Sequence, residues 1–379
     1  MTSILKFLSK KWILGGIAFL CLLALLCGYH SQKGKIKKEI AHLDWMDRVV
    51  SAEFAPFEKQ GITKSLLDST WDNCKTYKEF KRFKILDSTV YGDECKIKHL
   101  LEALVKRYKI PDVDFIYFNE DRIKPSFFRR KAYKKCAPIL VSAKHRSLDK
   151  VILFSDWVYD IEDLQKGWNA LIKTVNEHQN IDWSQKTDKL FWRGTPWDGP
   201  HFGMYNFNNW KTLPRGKLVH ESRKHPELID AAFSEYPLQC VQESLDRCRQ
   251  EMGEIQFTAW DEVFRFKYQM AIDGVTCSFP ATQWKLLSGC LTFKQDSPDI
   301  MYFYDELVAW KHYIPVRTDL ADLIEKIQWA KNHDAEARVI AQNGRSFALN
   351  HLMPEHILLY CYKVLLKYAS LQKFQPAQE

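Results

Sequence analysis

The sequence predicts two α/β domains, each built on a mostly parallel sheet with flanking helices. Short runs of β-branched and aromatic residues alternate with amphipathic helical segments through both halves of the chain. Neither a low-complexity tract nor a repeat of solenoid period interrupts that alternation. At 379 residues the chain can also fill two ordinary domains sharing one interface, with the apolar and charged fractions of a globular protein.

The first element is the run from Trp12 to Tyr29, WILGGIAFLCLLALLCGY. It holds about 18 uncharged residues, just enough to cross a hydrocarbon core as a helix. Lys6, Lys10 and Lys11 precede it, and Lys33, Lys35, Lys37 and Lys38 follow. A cleaved signal peptide has a shorter apolar region and a small-residue cleavage site, which Cys27-Gly28-Tyr29 matches poorly. A retained membrane anchor over residues 1–30 is therefore expected, with near-balanced basic flanks that set no orientation.

Lys96 to Tyr108 (KIKHLLEALVKRY) has helical apolar spacing, and Pro111 then precedes the strand-like run Val113 to Phe118. Pro138 to Val141 and Val151 to Phe154 read as buried strands, and Leu164 to Val175 as a helix. Lys189 to Trp192 is a strand leading into the turn Arg193-Gly194-Thr195. Cys290 to Phe293 is another strand, and Leu320 to Ala330 a helix with Asp319 as its N-cap. Ala335 to Asn350 is the next helix. Ligands of such sheets bind at the carboxyl ends of the strands.

The formal charge of +8 suits nucleic acid, an anionic membrane surface or a phosphorylated substrate. Nucleic acid is not expected, because the basic residues are scattered and no zinc-finger spacing or RNA-recognition signature occurs. The ten cysteines are irregularly spread without CxxC spacing, and no Asn-x-Ser/Thr acceptor or carboxyl-terminal retention signal is present. These features point to a reducing, cytoplasmic face of a membrane.

Several residues have the chemistry of a site, each with a bland alternative. Arg193, at a strand end before a glycine, could meet a diphosphate or pair with a structural carboxylate. Trp284 could stack on a base or sugar and Lys285 meet a phosphate, or Trp284 is core and Lys285 a surface lysine with a buried stem. Asp121 could be a base or a turn residue. Asp112-Val113-Asp114 is a formal Asp-x-Asp, but it opens a strand where a metal-holding motif should follow one. It is read as structural, and no metal is expected.

Phe191-Trp192-Arg193-Gly194-Thr195, with the stretch Thr276 to Leu320 (TCSFPATQWKLLSGCLTFKQDSPDIMYFYDELVAWKHYIPVRTDL), resembles glycosyltransferase family 90. That family includes Rumi-type protein O-glucosyltransferases, capsule xylosyltransferases and lipopolysaccharide core enzymes. The resemblance implies a GT-B fold, two Rossmann-like lobes facing a cleft. Residues 31–185 would be the acceptor lobe, 186–350 the nucleotide-sugar lobe, and 351–379 a helix crossing back. It implies Asp121 as general base and Arg193, Gly194 and Thr195 at the donor diphosphate. Ser278, Phe279, Trp284 and Lys285 would line the donor pocket, with Asp156 and Trp157 as sugar contacts. The expected reaction is inverting, metal-independent transfer from a nucleotide diphosphate sugar, a UDP-sugar, to a hydroxyl of a lipopolysaccharide or other glycan. No cofactor is expected beyond that donor. The alternatives are a protein O-glycosyltransferase and an inactive membrane-anchored glycan-binding protein.

Overall fold

The computed structural model describes residues 44–121, 123, 135–155, 167–197 and 205–377. The expected anchor over Trp12 to Tyr29 lies outside them. Among the described residues no helix is long and apolar enough to cross a membrane. Contacts divide the chain into Met1–Arg48 and Val49–Glu379; residues 44–48 of the first unit are helical, and all that follows concerns the second.

Twelve strands occur among the described residues of that unit: β1 (Phe80–Leu86), β2 (Thr89–Tyr91), β3 (Val113–Phe118), β4 (Ile139–Val141), β5 (Lys144–His145), β6 (Val151–Leu153), β7 (Thr187–Gly194), β8 (Ile229–Phe233), β9 (Phe266–Ala271), β10 (Leu291–Gln295), β11 (Asp299–Ile300) and β12 (Ile314–Val316). They form a sheet of order β2-β1-β3-β4-β6, a second of order β12-β10-β9-β7-β8, and the two-stranded pair β11-β5. In the first sheet β3, β4 and β6 are parallel, as the alternation predicts. β1 and β2 add an antiparallel edge. Asp87 and Ser88 turn that hairpin with φ of 47° and 62°, the positive values a two-residue loop requires. Every residue of β3 is buried, as befits an interior strand covered on both faces.

The second sheet is parallel throughout. One face packs Trp192, Phe233, Tyr268 and Phe293 against the helices Pro214–Lys224 and Leu323–Asn332. The other carries the helix Ala281–Leu287, against which the helix Asp334–His351 packs. Gly289, at φ 70°, turns the chain from the Ala281–Leu287 helix into β10. The last helix, Pro354–Leu371, runs back to the first sheet. Its Tyr360 hydroxyl donates to the Leu153 carbonyl at 3.0 Å and its Tyr368 hydroxyl to the Pro138 carbonyl at 3.3 Å.

The helix expected from Leu320 begins three residues later. The Asp319 carboxylate is held by Arg317 at 3.0 Å and by the Ala321 N–H at 3.1 Å, in a turn ahead of the helix. Leu320 sits at φ 55°, outside helical geometry, and Asp322 takes the N-cap position. The helix expected from Leu164 is described only from Gly167, as Gly167–His178.

Candidate active site

The carboxyl ends of three strands open onto one cleft. β3 continues into Asn119, Glu120 and Asp121, β7 into Thr195 and Trp197, and β9 into the loop from Gly274 to Ser278. Together these residues line a space of about 470 Å³. Backbone connections diverge at this edge of a parallel sheet, so a ligand can reach main-chain groups and loop side chains together. Asp121 is exposed on the wall formed by the first sheet. Its strand end is pinned where the Asn119 N–H donates to the Glu79 carbonyl at 2.8 Å.

The opposite wall carries Arg215, in the first turn of the Pro214–Lys224 helix. Its Nε donates to the Asp273 carbonyl at 3.0 Å and its Nη1 to the Thr195 carbonyl at 3.1 Å. Gly274 makes this arrangement possible: a Cβ there would lie 2.5 Å from Arg215 Nη2 and 2.9 Å from the Trp197 carbonyl oxygen. Asp273 anchors the loop from below. Its N–H donates to Gln295 Oε1 and its Oδ1 accepts from the Ser278 N–H, both at 3.1 Å. Burial raises its carboxyl above the usual range, against the opposing charge of Lys294. Ser278 and Phe279 line the cleft from this loop.

Arg193 lies elsewhere. β7 does not end at Trp192 as expected but runs to Gly194, because Arg193 and Gly194 still pair with Ala232 and Phe233 of β8. Strand alternation then sends the Arg193 side chain onto a face of the sheet rather than past its edge. There Nη2 donates to Asp230 Oδ1 at 2.7 Å and Gln256 Oε1 at 2.6 Å, while Nη1 donates to the carbonyls of Trp192 and Asp230 at 2.9 Å. Of its two readings, pairing with a carboxylate is the arrangement present. Gly194 sits under the Trp192 ring, and Thr195 alone of that trio lines the cleft.

Trp284 and Lys285 share with Arg193 a smaller cavity of about 190 Å³, lined also by Phe191, Trp260 and Gln269. Trp284 meets Trp260 edge-on at 5.2 Å and Phe264 at 6.1 Å. Lys285 is 4% exposed, with Nζ 4.9 Å from the Trp284 ring centroid, so it does not reach out to solvent. Burial, with the nearby charge of Arg215, lowers its pKa to about 7.

Asp156 and Trp157 lie outside the described residues. Asp114 is gripped by Arg82 at 2.7 and 2.8 Å, and Asp112 Oδ1 accepts from the Asp87 N–H at 2.8 Å. Both serve the first sheet. Among the described residues no cluster of three or more His, Cys, Asp or Glu could hold a metal ion.

Arg215, Trp197, Gly274 and Val275 escaped the sequence reading, and Thr276 and Cys277 fell in the quoted stretch without being named for the site. Arg215 did carry a signal. Pro214 marks a helix start, and a cation in a first turn opposes the helix dipole, an arrangement that gains from an anion nearby.

The sequence profile described as Glycosyl transferase family 90 matches residues 44–379. The chain belongs to that family. It is 29% identical over 296 residues to Protein O-glucosyltransferase 3 of Homo sapiens, which covers 77% of this chain and 53% of that protein. It is 31% identical over 278 residues to Protein O-glucosyltransferase 2 of Danio rerio, covering 73% of this chain and 51% of that protein. The chain thus spans about half the length of these relatives. Among solved structures, Anabaena Alr3699/HepE in complex with UDP-glucose superposes with a TM-score of 0.40 at 10% identity, covering 73% of this chain and 76% of that one.

Proposed function

We propose that the chain transfers a hexose, with inversion, from a nucleotide diphosphate sugar to a hydroxyl of a protein. The observation that supports this most is the opposition of Asp121 and Arg215 across one cleft at the strand ends. Family membership supports sugar transfer. The printed names of the relatives support glucose and a protein acceptor, so the alternative acceptor replaces the lipopolysaccharide first expected.

In this reading the two sheets are the lobes of a GT-B arrangement, the first presenting the acceptor and the second the donor. The acceptor oxygen attacks the anomeric carbon from the side opposite the nucleotide as the bond to the diphosphate breaks. Asp121 takes the hydroxyl proton. The departing diphosphate carries the negative charge, which Arg215 is placed to meet. Thr195, Ser278 and Phe279 contact the donor within the cleft. Arg193 acts at a distance, by holding the end of β7 to β8. Catalysis proceeds without a divalent ion, since Arg215 supplies positive charge at the diphosphate. The membrane anchor stays part of the proposal on the support of the Trp12 to Tyr29 run.

The test incubates the chain with UDP-glucose in excess chelator and offers, separately, serine-centred peptides, folded proteins and a lipopolysaccharide core. Glucose should enter polypeptide with the β configuration from the α-linked donor. Incorporation into the lipopolysaccharide alone would return the acceptor to a glycan. Loss of turnover in chelator with rescue by manganese would replace the metal-independent route.

A further inference from the structure

The cleft has a buried floor and an exposed rim. Thr276, Cys277 and Ser278 are buried, whereas Trp197, Glu120 and Asp121 are exposed. Trp197 is 57% exposed, an unusual position for the largest apolar side chain. Its backbone is nevertheless fixed. Its N–H donates to the Thr195 carbonyl at 2.9 Å, and its own carbonyl packs against Gly274, where any side chain would intrude. A large, exposed indole on an anchored stretch of backbone therefore lines the cleft together with Glu120 and Asp121.

We infer that Trp197 reads the acceptor, docking an apolar side chain of the polypeptide that neighbours the hydroxyl being glycosylated. This rests on the protein-acceptor reading. A small donor is enclosed by the floor, and an exposed rim meets what remains outside, which for a protein acceptor is the surface around the reacting residue. Indole suits that task because it offers a large apolar face at low conformational cost, the reason tryptophan dominates binding hot spots. Glu120, exposed on the same cleft, adds a preference for a basic side chain near the hydroxyl. Substituting an exposed residue of this kind leaves the core untouched.

The experiment uses UDP-glucose with a library of serine-centred peptides in which each neighbouring position is varied, for the native chain, Trp197→Ala and Trp197→Phe. The native chain should favour an apolar neighbour on one flank. Trp197→Ala should flatten that preference and raise the peptide KM roughly tenfold, the effect being carried by the acceptor's KM and not by the donor's. Trp197→Phe should recover part of both. A peptide-modifying chain whose preference and KM are indifferent to Trp197→Ala overturns this inference alone, as does a rise confined to the UDP-glucose KM. A native chain that hydrolyses UDP-glucose but glycosylates only saccharides overturns the protein-acceptor reading, and this inference with it.

Discussion

Two cavities lined by the second sheet differ in physics. One opens at the strand ends, meets both sheets and holds Arg215 by backbone carbonyls. The other lies on a sheet face, walled by Phe191, Trp260 and Trp284 and lined also by Arg193, which Asp230 holds and which borders a third, wider space of about 660 Å³. Two residues at the end of β7 separate them: Arg193 is still inside the ladder with β8, and Thr195 is beyond it. What puts a side chain into the site is therefore the end of hydrogen-bonded pairing, not its distance from a motif. The face cavity teaches the converse, since Lys285 is cationic chemistry buried where the proposed reaction does not pass.

The sharpest break of this contrast is Asp121→Asn. Removing the base should lower transfer on the order of 10²–10⁴-fold while leaving donor affinity nearly intact, because a base acts on the acceptor's proton and not on the diphosphate. Steady-state transfer together with a UDP-glucose titration checks both halves. Near-native turnover would remove Asp121 from the mechanism.

Arg215→Ala comes next. Loss of a group that meets developing charge should cost about 10²–10³-fold in kcat and weaken donor binding as well. Arg193→Ala should behave differently, lowering stability on the order of 1–3 kcal/mol through the Asp230 pair while disturbing turnover less. Unfolding midpoints and kinetics of the two variants in parallel distinguish a site residue from a strand clamp. If Arg193→Ala is the more damaging to donor affinity, the strand-end contrast fails.

Gly274→Ala is a gentler probe of the same wall. The added methyl would meet Arg215 Nη2 at 2.5 Å and the Trp197 carbonyl at 2.9 Å, so the guanidinium or the rim must shift. Enzymatic geometry is sensitive to displacements near 1 Å, and a loss of about tenfold to 10²-fold in transfer is expected with the fold intact. The circular dichroism spectrum should be native. Unaltered turnover would mean that Arg215 need not hold this position.

Much of the fold was legible because periodicity reports burial. Lys96 to Tyr108 and Val113 to Phe118 were read almost to the residue, the first by helical spacing and the second by β-branched and aromatic content. The N-cap after β12 was not. Asp319 and Asp322 are chemically equivalent candidates, and the positive φ of Leu320, which a sequence does not display, puts the helix start after it. Asp121, Thr195, Ser278 and Phe279 were expected at the site, and they line one cleft. Arg215 was not, since it joins the cleft through a helix start remote in sequence from those motifs. Arg193 and Lys285 had the right chemistry, but whether each side chain enters the cleft depends on pairing and packing that one sequence does not display.

The smallest expected effect on transfer, and the finest test of the contrast, is Lys285→Met. The side chain fills most of the same volume without the charge. Its ammonium is buried among aromatics, which lowers its pKa from the ordinary lysine value to about 7. Below pH 7 the group is protonated in folded and unfolded chains alike, and the full cost of burying a cation weighs on the fold. Between about pH 7 and pH 10.4 the folded chain has released the proton while the unfolded chain still holds it, so native stability rises with pH at about 1.4 kcal/mol per unit. The methionine variant lacks this titration. It should be more stable than the native chain at pH 6.5, with an advantage that shrinks when the comparison is repeated at pH 9.5. Denaturant unfolding at the two pH values measures it. A difference that does not change with pH would show that Lys285 keeps its proton through this range, and the face cavity would then have to hold an anion after all.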